Sequence, residues 1–215
     1  MLKGRAHIAL AAAGVALVAG LIGLAGWSAW QKRAHREAVT AVVQDTTARL
    51  REALPGKLDV KKLEAHAAAA DSALAVLRKN ASRDRPLTDG AEHYVITARE
   101  IFKRQAAAIK ASQEAGEGRN SLQMHMGKAA RRDRAWIDEA MSRKKKVEAQ
   151  YFDYNLALTG LSELLWRFPE ARKRIAPHVH ESTLLELGPA EEAYRRVQAE
   201  AKQVASDLAA VRRLQ

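Results

Sequence analysis

Between Arg5 and Lys32 the chain carries no Asp, Glu, Lys or Arg. Few constraints on a fold are stronger, because a charge-free run of that length has only a few places to go. Its strongly apolar part, Ile8 to Trp30, would be roughly 34 Å long as a helix. A bilayer's hydrocarbon core is about 30 Å thick, so the run can span it with modest tilt. Trp27 and Trp30 close the run, and Lys32, Arg33 and Arg36 come directly after. Indole rings favour the headgroup layer and basic side chains the water beyond it. Gly20, Gly23 and Gly26 recur every third residue, which is not the spacing of a GxxxG pairing face.

The competing reading is a secretory signal peptide with Lys3 and Arg5 as its basic n-region. Gly26-Trp27-Ser28 would then be the small-x-small cleavage site. A Trp at the cut is unusual, and the apolar run exceeds the usual h-region of about 7–15 residues. The sequence therefore predicts a retained single-pass anchor over residues 1–31. The basic residues flanking the run favour the C-terminal side as cytoplasmic if counted literally. A basic N-terminus before one apolar run is, however, the layout of a signal-anchor that exports the body of the chain, and long domains translocate largely regardless of charge. The expectation is an inner-membrane protein whose body lies in the periplasm.

Residues 32–215 form the body. Lys3 and Arg5 account for two of the eleven net positive charges, leaving +9 here. There is no cysteine, which rules out disulfides, thiol catalysis and Cys-based zinc sites. No alternating run of Val, Ile, Thr and aromatics reads as a strand. Apolar residues recur instead at spacings of three and four. Val39, Val43, Thr46 and Leu50 form one such ladder, and Val60, Leu63, Ala67, Ala70, Leu74 and Leu77 a second. Ala91, Val95, Ala98, Phe102, Gln105 and Ile109 form a third. Val147, Tyr151, Tyr154, Leu158, Leu161, Leu165 and Phe168 form the strongest. Ala190, Tyr194, Val197, Ala201, Val204, Leu208 and Val211 complete the set. This is heptad-like spacing, with one apolar seam per helix.

The expected fold is therefore all-α: a single N-terminal transmembrane helix leading into an elongated, coiled-coil-like helical bundle. Breakers at Pro55-Gly56, Pro86 and Gly90, Gly116–Gly118, Pro169, Pro177 and Gly188-Pro189 place the helices near 32–53, 59–79, 89–115, 120–168 and 189–215. The first of these can continue the membrane helix without interruption. The fourth would be about 73 Å long. Extending its ladder backwards puts Lys144, Ala140, Ile137 and Asp133 on the seam, so its N-terminal half should pack less tightly. Ala-rich seams bury little area per turn, which invites self-association.

Two places could hold soft or borderline metals. Met124, His125 and Met126 offer sulfur and imidazole, but residues two apart on a helix face away from each other. His178 and His180 flank one residue before Glu181 and lack a third ligand nearby. Neither is expected to bind a metal or cofactor. No nucleophile elbow, zincin, P-loop or dinucleotide motif is present, so no enzyme activity is expected. The remaining candidates are basic clusters: Lys128, Arg131, Arg132 and Arg134; Arg143, Lys144, Lys145 and Lys146; and Arg167 with Arg172, Lys173 and Arg174. Read as a stripe, they would attract lipid headgroups, an envelope polymer or an acidic protein. Nucleic acid joins that set only if the body is cytoplasmic. The layout predicts a scaffold, spacer or accessory subunit of a bacterial envelope complex, working through protein contacts. The alternative is a tethered module whose basic stripe holds an anionic ligand.

Overall fold

The computed structural model describes the backbone of residues 3–79, 84–127 and 133–213, and side chains from Trp27 onward within those ranges, Ser28 excepted. It is all-α, with no strand among the described residues. The helices are α1 (Lys3–Ala53), α2 (Val60–Lys79), α3 (Arg85–Gly127), α4 (Arg134–Ile175) and α5 (Leu187–Arg212), with a 3-10 turn at Glu181–Thr183.

Local chemistry explains the ends. Pro55 cannot extend α1, and Gly56 takes φ 73° to turn the chain, a left-handed conformation that only glycine adopts freely. Asp59 then accepts from Lys62 N–H at 2.8 Å and opens α2. Asp133 accepts from Trp136 N–H at 2.9 Å and opens α4, satisfying one of the helix's orphan donors. Asp133 is thus a cap, not the seam residue that the ladder implied.

The centre of the bundle is the antiparallel pair α3 and α4. Gly90 lies against Arg174 and Ile175, the side chain of Arg104 lies against Gly160, and Gly118 lies against Val147 and Gln150. α2 runs antiparallel along α3, marked by Arg78–Glu92 at 3.6 Å, Asp71–Arg99 at 2.8 Å and Glu64–Lys110 at 2.7 Å. α5 runs antiparallel along α4: Tyr194 packs on Trp166 with centroids 5.7 Å apart, and Gln198 reaches Ser162 at 2.7 Å. The second half of α1 runs parallel to α3. Its His35 pairs with Thr88 at 3.0 Å, Thr47 with Tyr94 at 2.9 Å, and the Ala53 carbonyl accepts from Gln105 at 3.2 Å.

The predicted ladders are the buried faces. All seven residues of the α4 ladder are buried, as are Leu63 to Leu77 in α2 and Val39, Val43, Thr46 and Leu50 in α1. Each Leu or Phe so placed contributes about 1.5–3 kcal/mol. Tyr94, buried completely, joins three elements. Its ring meets Phe168 at 5.6 Å, its hydroxyl bonds Thr47 of α1, and it accepts from Leu185 N–H at 3.3 Å ahead of α5. Burial pushes its pKa up, against the Thr47 hydrogen bond, so the hydroxyl stays protonated.

Two expected breaks are absent. α3 continues through Gly116 and Gly118 to Gly127, so the segment expected as one helix over 120–168 is divided between α3 and α4. At Gly118 a Cβ would overlap Gln150; there glycine admits the neighbouring helix instead of ending its own. α4 likewise passes through Pro169 to Ile175. One backbone hydrogen bond is lost there, but Phe168, Ala171 and Ile175 remain fully buried. Among the described residues no helix is long and apolar enough to cross a membrane. The expected span falls mainly on residues 8–26, whose side chains lie outside those described.

Tyr94→Phe leaves a buried N–H and a buried hydroxyl without a partner. It should lower unfolding free energy by about 1–3 kcal/mol in chemical denaturation. Two glycines should respond in opposite senses. Gly116 faces open space, so Gly116→Ala should add about 0.5–1 kcal/mol. At Gly90 a Cβ would stand 3.1 Å from the Arg174 carbonyl oxygen and 3.2 Å from Ile175 Cα. Gly90→Val should therefore cost about 1–3 kcal/mol by overpacking.

Candidate functional site

α3 and α4 outrun their neighbours. α2 begins at Val60, beside the level of Lys110, and α5 ends beside Lys144, whose Nζ donates to the Arg212 carbonyl at 2.9 Å. Beyond those points the two long helices have no third layer on one side. The seam that is closed elsewhere is here an open groove of about 810 Å³, floored by Leu122, Met126, Ile137, Ala140 and Met141. Ile137 is 46% exposed and Met141 55%. Lys144, Lys145 and Glu148 border the groove.

The end of this hairpin is tied by polar contacts. His125 stacks on Trp136 with centroids 5.2 Å apart and planes 14° from parallel. Trp136 Nε1 donates to the His125 carbonyl at 3.3 Å, and His125 Nε2 lies 3.1 Å from the Trp136 carbonyl. Arg143 bridges to Ser121 on α3 and to Glu139 on its own helix. That hydrogen bond, more than its charge, holds the Glu139 carboxyl below its usual pKa. The groove walls are thus fixed in register although their apolar floor is uncovered.

The basic clusters do not form one stripe. Arg134 and Arg143 to Lys146 lie in the first third of α4, and Arg172 to Arg174 at its far end, about 40 Å away along the axis. Lys128, Arg131 and Arg132 lie outside the described residues. Lys145, Lys146, Lys173 and Arg174 are exposed. Arg172 is occupied in structure: it donates to the Leu185 carbonyl at 2.9 Å and to Glu181 at 2.9 Å, holding the α4–α5 connection. Arg167 pairs with Glu163. Arg174 faces His93, whose pKa is lowered by burial first and by Arg174 second.

The other candidates diverge. Met124 points to solvent at 58% exposure, His125 turns to Trp136, and Met126 enters the groove. His180 caps the 3-10 turn by accepting from Ser182 N–H at 3.3 Å, while His178 is exposed. Among the described residues no group of three His, Cys, Asp or Glu could hold a metal ion. Trp27 and Trp30 are both exposed, with rings 5.3 Å apart, and exposed Lys32 and Arg33 come next. All four precede His35, whose bond to Thr88 joins α1 to the bundle.

The groove was half visible in the sequence. Ile137 and Ala140 belong to the backward extension of the α4 ladder, and Met141 stands one turn beyond Ile137. Nothing local marked them as uncovered, because that depends on where α2 and α5 stop. Comparison with family models, with curated proteins and with solved structures finds no match to this chain. Its class is accordingly given by its architecture: an all-α bundle built on a long antiparallel helix pair.

The depressed His93 pKa carries a pH signature. A histidine whose folded pKa lies below 6.5 favours folding when neutral, so its contribution is present above the unfolded pKa and lost as pH falls. The melting temperature should drop between pH 7 and 5, and His93→Gln should flatten part of that drop.

Proposed function

We propose that this chain is a membrane-anchored helical spacer or accessory subunit that meets a partner protein at the α3–α4 tip. The anchor is residues 1–31, spanning the inner membrane once, with the body on the periplasmic side. One observation carries the reading. α1 leaves the bundle beside Thr88, at the start of α3, while the open groove reaches Met126 at its end. Those points are about 57 Å apart along the helix. An arm tethered at one end and adhesive at the other suits contact at a set distance from a membrane.

α1 supports this reading in a second way. It runs as one helix from Lys3 to Ala53, so an anchor and the bundle would share a single element without a hinge. The exposed Trp27, Trp30, Lys32 and Arg33 stand where an interfacial belt would be needed. The partner's contacting face is apolar with an acidic flank, matching the groove floor and the exposed Lys145 on its border. Separation of the basic clusters to opposite ends of α4 favours such a local contact over a long anionic polymer.

The full chain should sediment with membranes and resist carbonate extraction, while a chain beginning at Lys32 should remain in the supernatant. Equal partitioning of both would remove the anchor. A C-terminal alkaline phosphatase fusion should be active, and activity only from a cytoplasmic reporter would reverse the topology. Ile137→Glu with Met141→Glu should abolish partner co-purification at unchanged helical circular dichroism, since a buried unpaired charge costs several kcal/mol. Retention of the partner by that double variant would move the contact elsewhere.

A further inference from the structure

A second opening lies where α1 leaves the bundle, between its outer stretch and the start of α3. It measures about 670 Å³ and is separate from the tip groove. Ala29, Lys32, Arg33 and Arg36 line it from α1, at the i, i+3, i+4 and i+7 positions that share one helix face. Asp84, Arg85 and Pro86 line it from the start of α3, and Glu37 completes the described wall. Cations thus outnumber carboxylates among the described lining residues.

The charges in this wall differ in what they have to spare. Asp84 is committed: it accepts from Arg36 Nε at 3.0 Å, and that bond, with a further one from Leu87 N–H, holds its carboxyl below the usual pKa. Arg36 is matched by the same bond. Arg85 meets Asp89 at 3.7 Å, both side chains being mostly exposed, and a surface pair of that kind contributes little. Lys32 and Arg33 are exposed, and among the described residues no hydrogen bond or ion pair engages either. Glu37 is the one lining carboxylate left to oppose them. The same end of the bundle carries more positive charge, because α4 closes beside Gly90 with Lys173 and Arg174 exposed.

Depth decides which anion such a cleft meets. Trp27 and Trp30, both exposed, stand directly before it on α1. From Trp30 the helix rises about 3 Å to Lys32 and about 9 Å to Arg36. The headgroup layer on each face of a bilayer is about 5–8 Å thick. With the apolar run ending at Trp30, the cleft opens at the depth of the lipid phosphates. We infer that it binds the headgroup of an anionic phospholipid, with Lys32 and Arg33 on the phosphate oxygens and Arg85 closing on them from α3. Guanidinium groups match phosphate oxygens two at a time. A zwitterionic lipid offers the same phosphate but brings its own cation, which the surplus positive charge repels. The bound lipid bridges α1 to α3 beside the His35–Thr88 bond, so it helps to set how the bundle stands on the membrane. The inference rests on the anchor reading of residues 1–31.

The test uses the full chain reconstituted in vesicles. Flotation with phosphatidylcholine vesicles tests the anchor alone, and failure to float removes the anchor and this site together. Quenching of Trp27 and Trp30 fluorescence by brominated phosphatidylglycerol, compared with brominated phosphatidylcholine, then reads the site. Phosphatidylglycerol should associate about fivefold more strongly. Lys32→Gln with Arg33→Gln should abolish that preference, and Arg85→Gln should lower it by about twofold or more. The Arg85 variant separates a site from a plain basic flank on a membrane helix, because Arg85 belongs to α3. Lys61→Gln, at the far end of α2, should change nothing. All four side chains are exposed, so helical circular dichroism should be unaltered throughout. Equal association of the two lipids, or a preference untouched by Arg85→Gln, overturns the inference and leaves the anchor standing. Displacement of the lipid by soluble sn-glycerol 3-phosphate would assign the cleft to free phosphates and overturn it likewise.

Discussion

The antiparallel contact between α3 and α4 is the constraint on which the remaining structure depends. It requires close approach at Gly90, where the Ile175 backbone occupies the space a side chain would need. It also includes the Tyr94–Phe168 ring contact one turn further along α3 from there. Around that contact α2 lies along α3 and α5 along α4, while α1 joins α3 through the Thr47–Tyr94 pair and the Gln105–Ala53 bond and meets α2 at Arg49–His66. Tyr94 is the point where these attachments meet. A single buried hydroxyl therefore ties the C-terminal half of α1 to the segment that leads into α5.

Because α3 and α4 are the longest partners in the bundle body, the bundle is covered unevenly. Where α2 and α5 lie alongside, heptad seams close and apolar burial supplies the stability. Past their ends the same seam continues without cover. This is why the N-terminal half of α4 exposes Ile137 and Met141 while its C-terminal half buries the whole seam from Val147 to Ile175. Polar contacts between the two helices there do what packing does elsewhere. The His125–Trp136 stack and the Arg143 bridge fix both helices without covering the apolar floor. Walls tied to each other beside an uncovered apolar floor suit a contact surface, since less ordering entropy is lost on association.

The basic clusters illustrate how sequence proximity misleads. Residues 143–146 and 172–174 look like successive parts of one run, yet a helix puts distance between them at about 1.5 Å per residue. Once placed, Arg172 and Arg143 are occupied in holding the fold, and only some of their neighbours face solvent.

What the sequence determined by itself was the helical class, the seams and most helix ends. Those arise from local rules: the 3–4 spacing of apolar residues, the missing N–H of Pro55, the positive φ of Gly56. It missed where α3 ends, because Gly116 and Gly118 carry the composition of a break while α3 continues helical to Gly127 with α4 packed at Gly118. It missed the passage through Pro169 for the same reason, since burial of Phe168, Ala171 and Ile175 outweighs one lost hydrogen bond. The tip groove was decided only by tertiary structure. It is defined by where α2 and α5 stop, and no residue's own neighbours in the chain carry that information.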